Sequence, residues 1–204
     1  MTDIAETLRR WPALTGSRVV ITLAGTDKLD SHRLLTFHAR NEQHLAPWLP
    51  PRPSDFLTLA YWQRWTGQSV ALFEADIEVR LIIRPIDNPQ TDILGQINFN
   101  SILRGAAQSC TVGYHLGENA EGRGLMTEAF DLAVQYMFVQ RGLHRIVAKY
   151  IPENQRSARM LERLGFEIEG LARSDLFIGD AWRDHVVTAK INHACSDPRP
   201  GAAL

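Results

Sequence analysis

Residues 111–129 read Thr111-Val-Gly-Tyr-His-Leu-Gly-Glu-Asn-Ala-Glu-Gly-Arg-Gly-Leu-Met-Thr-Glu-Ala129. Ser109 to Leu116 has the short, turn-bounded pattern of a strand. A loop carrying Gly122 and Gly124 follows, and a strongly apolar helix runs from Leu125 to Arg141. The unpaired N–H groups of a helix's first turn, together with its dipole, attract anions. Glycines let the backbone approach a pyrophosphate with no Cβ in the way. The loop lacks the Gly-Lys-Ser/Thr of a Walker A motif. It also follows a run of apparently antiparallel strands rather than the first strand of a parallel βαβ unit, which argues against NAD. Taken alone, it reads equally well as a glycine-rich turn with no ligand.

Outward from this segment, strand and helix patterns alternate. Arg18–Leu23, Glu78–Ile86, Ile93–Ile102, Arg145–Tyr150, Phe166–Phe177 and Trp182–Ile191 read as further strands. The last two form a hairpin around Ile178-Gly-Asp-Ala181. Leu29–Asn41 reads as a helix, as does a segment capped by Ser54 that carries Phe56, Leu59, Ala60, Trp62 and Trp65. Asn154–Leu164 is another, ending at Gly165 in the usual C-terminal glycine position. Asn41–Pro53 holds four prolines and is expected to be a loop. The expectation is one α/β domain over residues 17–192: a mixed central sheet of about seven strands flanked by about four helices. Residues 1–16 form a leading segment, and the Pro/Gly/Ala-rich 193–204 a disordered tail.

Composition narrows the function classes. The chain has 204 residues, 45% hydrophobic and 22% charged, ordinary values for one globular domain. No run approaches ~18 apolar residues, so no membrane span is expected. The N-terminus lacks a signal-peptide pattern, and two cysteines make no disulfide framework; a cytoplasmic setting follows as an expectation. A net charge of −1 argues against bulk nucleic-acid binding. The 22 basic residues are 19 Arg and 3 Lys, a bias consistent with genome composition or with Arg serving phosphate recognition. His32, His38 and His44 are spaced by six, which gathers no metal face on a helix, and Asp184 and His185 point to opposite sides of a strand; no metal is expected.

A second segment, Tyr150-Ile-Pro-Glu-Asn154-Gln-Arg-Ser157-Ala-Arg159-Met-Leu161-Glu-Arg-Leu164-Gly-Phe166, has Asn154 as a natural helix cap and Ser157 one turn in. Capping and local hydrogen bonding account for both without further function. Together, however, the two segments resemble motifs A and B of the GNAT N-acetyltransferases, in the right order and separation. Motif A, Gln/Arg-x-x-Gly-x-Gly/Ala, corresponds to Asn119-Ala120-Glu121-Gly122-Arg123-Gly124, with Asn119 and the acidic Glu118 and Glu121 as departures. Gly124-Leu-Met-x-Glu-Ala129, His144-Arg-Ile146 and Trp182-Arg-Asp-His-Val186 resemble the RimJ/RimL branch of ribosomal-protein N-terminal alanine acetyltransferases, on the RimJ side.

The resemblance implies acetyl-CoA as co-substrate. It implies binding by Val112, Gly113 and Tyr114 on the strand, by Asn119 through Leu125 in the loop, and by Asn154 and Arg159 beside it. The acceptor implied is a protein N-terminus, such as a ribosomal protein's alanine; a small amine and a non-catalytic CoA-binding module are the alternatives. A monomer or a homodimer fits equally well. Ser157 stands in the family's position for a proton donor to the leaving thiolate, a group of pKa near ~8.5. The branch places a Glu base on the penultimate strand. In an ungapped register that position is Leu176, and Asp175 replaces it only if the register slips. His115 on the central strand has the pKa class for proton transfer, and an ordinary part-buried histidine is its bland reading. An α-amine is about a tenth neutral at pH 7, so it needs less help from a base than a lysine does.

Overall fold

The computed structural model describes residues 13–195. Eight strands form one sheet in the order β1-β2-β3-β4-β5-β6-β8-β7. They are β1 Leu14–Thr15, β2 Val19–Leu23, β3 Val79–Pro85, β4 Gly95–Leu103, β5 Ser109–Leu116, β6 Arg145–Tyr150, β7 Glu167–Ile178 and β8 Ala181–Ile191. All neighbours pair antiparallel except β5 and β6. A parallel pair needs a long crossover, and here the helix α4, Leu125–Val139, supplies it.

The sheet is covered on both faces. On β3, Leu81 and Ile83 join a large core with Phe130, Ala133 and Met137 of α4. Ile82, pointing the other way, joins Leu34, Phe37 and Trp62 from α1 (Asp30–Arg40) and α3 (Leu59–Glu74). Strand alternation thus sorts one run of apolar residues into two cores. A buried ion pair between Asp30 and Arg84 pins the start of α1 to β3, and Asp30 also accepts from the Gly25 N–H at 2.8 Å. Burial raises the Asp30 pKa despite that cation.

Three expectations are corrected here. The stretch expected as a loop between α1 and α3 contains a short helix, α2 (Glu42–Leu45), and a 3₁₀ turn, Ala46–Trp48. Proline is tolerated at the start of such a turn, where its missing N–H has no partner to lose. Thr58, not Ser54, caps α3: its hydroxyl accepts from the Tyr61 N–H at 3.3 Å. Residues 53–58 instead form turns that bring Phe56 down onto Trp62, ring centroids 5.0 Å apart. The sheet also gains β1 from the presumed leading segment, making eight strands. Residues 1–12 and 196–204, the rest of the leading segment and the bulk of the tail, lie outside the described residues.

Candidate active site

The site lies where β5 and β6 part. Their pairing runs from Ser109 opposite Arg145 to Val112 opposite Ala148 and then stops, although β5 continues to Leu116 and β6 to Tyr150. Beyond Val112 the edge of β5 that faced β6 has no strand against it among the described residues. Alternation places Val112 and Tyr114 on the α4 side of the sheet, and Gly113 and His115 on the other. Across β4, Asn98 faces Gly113 and Gln96 faces His115. A Cβ built at Gly113 would meet nothing within 4 Å.

The loop leading into α4 has the geometry of an anion cradle. Gly122 and Gly124 have φ of +72° and +73°, which glycine adopts without strain. Gly124 precedes α4 with no side-chain cap, leaving the N–H groups of the first turn to a ligand. Arg18 of β2's approach holds the loop from behind, donating to the Arg123 carbonyl at 2.6 Å and the Gly124 carbonyl at 3.3 Å. Glu128 in turn accepts from the Arg18 side chain and backbone, each at 2.8 Å. Glu128, in the first turn of α4 where a carboxylate also favours the helix dipole, is therefore the anchor of this clamp. Glu121 points away, paired with Arg156 and 3.3 Å from His44 Nε2, so its charge is compensated before it meets a phosphate. Asn119 is exposed in a 3₁₀ turn, and Ala120 and Leu125 bury their side chains, so these last two face a ligand with backbone only. Acetyl-CoA fits these features: a positive-φ loop with free N–H groups, and beside it an unpaired strand edge. Arg18→Ala is expected to raise the acetyl-CoA Kd roughly five- to tenfold with kcat at saturation little changed. Calorimetry giving a Kd within twofold of wild type would return Arg18 to a surface role.

On the α4 side of the sheet, Ser157 meets Tyr114. Asn154 caps α5 (Gln155–Arg163), its Oδ1 accepting from the Ser157 N–H at 3.1 Å. The Tyr114 hydroxyl donates to Ser157 Oγ at 3.1 Å. Burial pushes Tyr114 up to about 12, so it stays protonated. Since Ser157 Oγ is the acceptor there, its own O–H remains free for a third atom. Arg159 is exposed on α5 and has no protein partner among the described residues.

On the opposite face lies a pocket lined by His38, Arg52, Trp62, Gln96, Asn98 and His115, among others. Gln96 Oε1 lies 2.6 Å from His38 Nε2 and 3.1 Å from His115 Nε2. One carbonyl oxygen facing two ring nitrogens assigns a proton to each and leaves each Nδ1 as an acceptor. Burial brings His38 down to about 4, and burial and the neighbouring His38 hold His115 well below the usual histidine range. Both are neutral at physiological pH. Asp175 lies elsewhere. The register of β7 against β8 does shift between Ala172 and Leu176, with Ser174 at φ +47°. Asp175 is thereby turned to Lys149, whose Nζ donates to its two oxygens at 2.9 and 3.0 Å, with His185 Nδ1 at 3.7 Å. The structure thus brings Ser157 and Tyr114 together, and His115 and Gln96 together, but does not bring Asp175 into the pocket. Tyr114, Gln96, His38 and Arg52 were not singled out by sequence as catalytic or acceptor residues. Only strand alternation about Gly113 could have marked Gln96; the sequence reading places the acceptor groove on the Asn41–Pro53 loop and the final hairpin turn, and Arg52 of that loop lines the pocket while the hairpin turn does not. Among the described residues no group of His, Cys, Asp and Glu is arranged to hold a metal, and no helix is long and apolar enough to cross a membrane.

A positive-φ cradle at a helix start, next to two strands that pair and then part, is the cofactor site of an acetyl-transfer enzyme, and the family model of the acetyltransferase (GNAT) domain matches residues 21–167: the chain belongs to that family. It is an N-acetyltransferase that takes its acetyl group from acetyl-CoA. Among its relatives is the [ribosomal protein uS5]-alanine N-acetyltransferase of Escherichia coli (strain K12), 37% identical over 86% of this chain and 89% of that protein. The ribosomal-protein-S5-alanine acetyltransferase of Vibrio fischeri superposes with a TM-score of 0.85 at 32% identity, covering 93% of this chain and all of that one. Mycobacterium smegmatis RimJ in complex with CoA-disulfide has the same fold, with a TM-score of 0.78 at 24% identity over 88% and 85% of the two chains.

Proposed function

We propose that the chain acetylates the α-amine of a protein N-terminus, an N-terminal alanine of a ribosomal protein such as uS5 being the first candidate. The relatives named for that reaction support this reading, matching nearly the whole chain. The pocket supports it from this chain's own residues. Among the described residues no carboxylate lines it, and Arg52 is the one charged side chain that does. A polyamine would enter such a pocket as a polycation with no counter-charge to meet it. The α-amine of a peptide, about a tenth neutral at pH 7, needs none.

In this reading the neutral amine reaches the thioester through the gap left by Gly113. Backbone N–H groups along Val112–Tyr114, where β6 has diverged, hold the oxygen on which charge develops. The Ser157 hydroxyl donates to the departing sulfur and is itself polarised by the Tyr114 hydroxyl. The amine proton passes to water beside the pocket; His115 is a weak base there, because burial and the neighbouring His38 disfavour its protonated form. Asp175, held by Lys149, keeps to its ion pair. Localisation in the cytoplasm, where ribosomal proteins are made, accords with this acceptor.

The test is a panel of N-terminal peptides and small amines incubated with acetyl-CoA and read by mass spectrometry. The expected result is a +42 Da product (the mass of one acetyl group replacing hydrogen, roughly 43 − 1) on the α-amine of alanine-initiated peptides. Turnover of polyamines in preference to every peptide would defeat the reading. Binding of acetyl-CoA with no amine turned over would point to a binding module.

A further inference from the structure

We propose that Arg52 is the residue that makes the pocket select acceptors carrying a carbonyl oxygen next to the amine; this rests on the peptide acceptor read above. Four buried polar atoms of residues that line the pocket have no partner among the described residues: Arg52 Nη2, Trp62 Nε1, Asn98 Oδ1 and His38 Nδ1. Buried polar groups are ordinarily paired, because one left unpaired loses its hydration with nothing in return. Four in one cavity describe what the cavity lacks. Two are donors and two, with the tautomer set by Gln96, are acceptors. A peptide N-terminus offers the matching set: an amine that donates and, two bonds from it, a carbonyl that accepts.

Position assigns the roles. Asn98 stands opposite Gly113, at the point where the strands part, so its oxygen faces the amine's end of the pocket. Arg52 comes from the segment Leu49-Pro50-Pro51-Arg52-Pro53, on the pocket's outer wall. Three prolines hold that segment's φ angles, and Pro53 forces Arg52 itself toward an extended backbone. The guanidinium lies over the Phe56 ring, 4.3 Å from its centroid; among the described residues no carboxylate is within ion-pair distance, and Glu42 attracts it only from farther off. A charged, pre-positioned donor without a partner, on a stiff wall, is suited to an oxygen that arrives with the substrate. An amine with only methylenes beyond it leaves that donor unsatisfied, and sites built to bond a substrate group reject analogues that lack it.

The experiment compares three acceptors in wild type, Arg52→Gln and Arg52→Lys: an alanine-initiated peptide, free alanine and n-butylamine. Each variant is referred to wild type on the same acceptor, so the amines' differing ionisation cancels. Arg52→Gln is expected to lower kcat/KM for the peptide about ten- to hundredfold more than for n-butylamine, mainly through KM. Arg52→Lys should recover part of it, since the charge returns without the planar fork. Melting temperature and acetyl-CoA affinity, both expected near wild type, confirm that the variant folds. Equal losses on peptide and n-butylamine, or no loss on either, overturn the proposal. If wild type acetylates free alanine but no peptide, the peptide reading alone fails, and the same ratio is scored on alanine.

Discussion

Gly113→Val is expected to lower kcat by about a hundredfold or more while the protein remains folded. Gly113 sits on the acceptor face of β5, one residue past the last pairing with β6, and its φ is not positive. A Cβ there meets nothing within 4 Å, and a β-branched residue suits a strand, so the sheet has no reason to break. In the reaction proposed above, the empty space is the route by which an amine on one side of β5 reaches a thioester in the opening between the strands. An isopropyl group placed in it holds the reacting atoms apart, and displacement by ~1 Å is enough to cost about a hundredfold. Acetyl-CoA affinity should fall much less, because the cradle that holds the pyrophosphate is at the far end of the strand. Gly113→Ala should fall between. Kinetics, calorimetry and a melting curve on one preparation test this; full kcat in a folded Gly113→Val protein would remove the passage from the mechanism.

Ser157→Ala is the second large effect. A group that acts on the leaving thiolate lowers the barrier without helping the ground state. The expectation is a kcat about a hundredfold lower with acetyl-CoA affinity little changed, or roughly tenfold, ~1.4 kcal/mol, if water takes the hydroxyl's place. The structure alters the control this experiment needs. Ser157 contributes its backbone N–H to the Asn154 cap, which alanine keeps. Its hydroxyl serves Tyr114, which in the variant becomes a buried donor without a partner, at a cost of about 1–3 kcal/mol in stability. A lower melting temperature therefore does not argue against a catalytic role. Tyr114→Phe removes the same hydrogen bond from the other side and leaves the Ser157 hydroxyl in place. If the bond is only structural, the two variants lose turnover alike. If Ser157 acts on the sulfur, Ser157→Ala loses far more kcat than Tyr114→Phe.

Much of this molecule is decided locally, and so was open to reading from sequence. The sequence places β5 at Ser109–Leu116 and β6 at Arg145–Tyr150, the bounds observed, because each is a short turn-bounded run containing β-branched and aromatic residues. Gly122, Gly124 and Gly165 all have positive φ, a requirement glycine announces by itself. Asn154 caps its helix because the cap is a contact over three residues. The extra helix α2 was missed because a four-residue helix rests on tertiary packing of Leu45 rather than on propensity. The β7 shift that turns Asp175 to Lys149 depends on how β7 meets β8, and no spacing within β7 encodes it.

What only the tertiary structure decided is where the chemistry-bearing side chains meet. Gln96 and His38 are 58 positions apart, Tyr114 and Ser157 are 43, and Arg18 and Glu128 are 110. Helical and strand periodicity say which face a residue takes, not which distant residue shares that face. Sequence alone thus determined an α/β acetyl-transfer scaffold with a glycine loop of positive φ leading into α4. Pairing across β4, β5 and β6 then set Ser157 and Tyr114 on one side of Gly113 and the acceptor pocket on the other, because each strand residue must face one side of the sheet or the other.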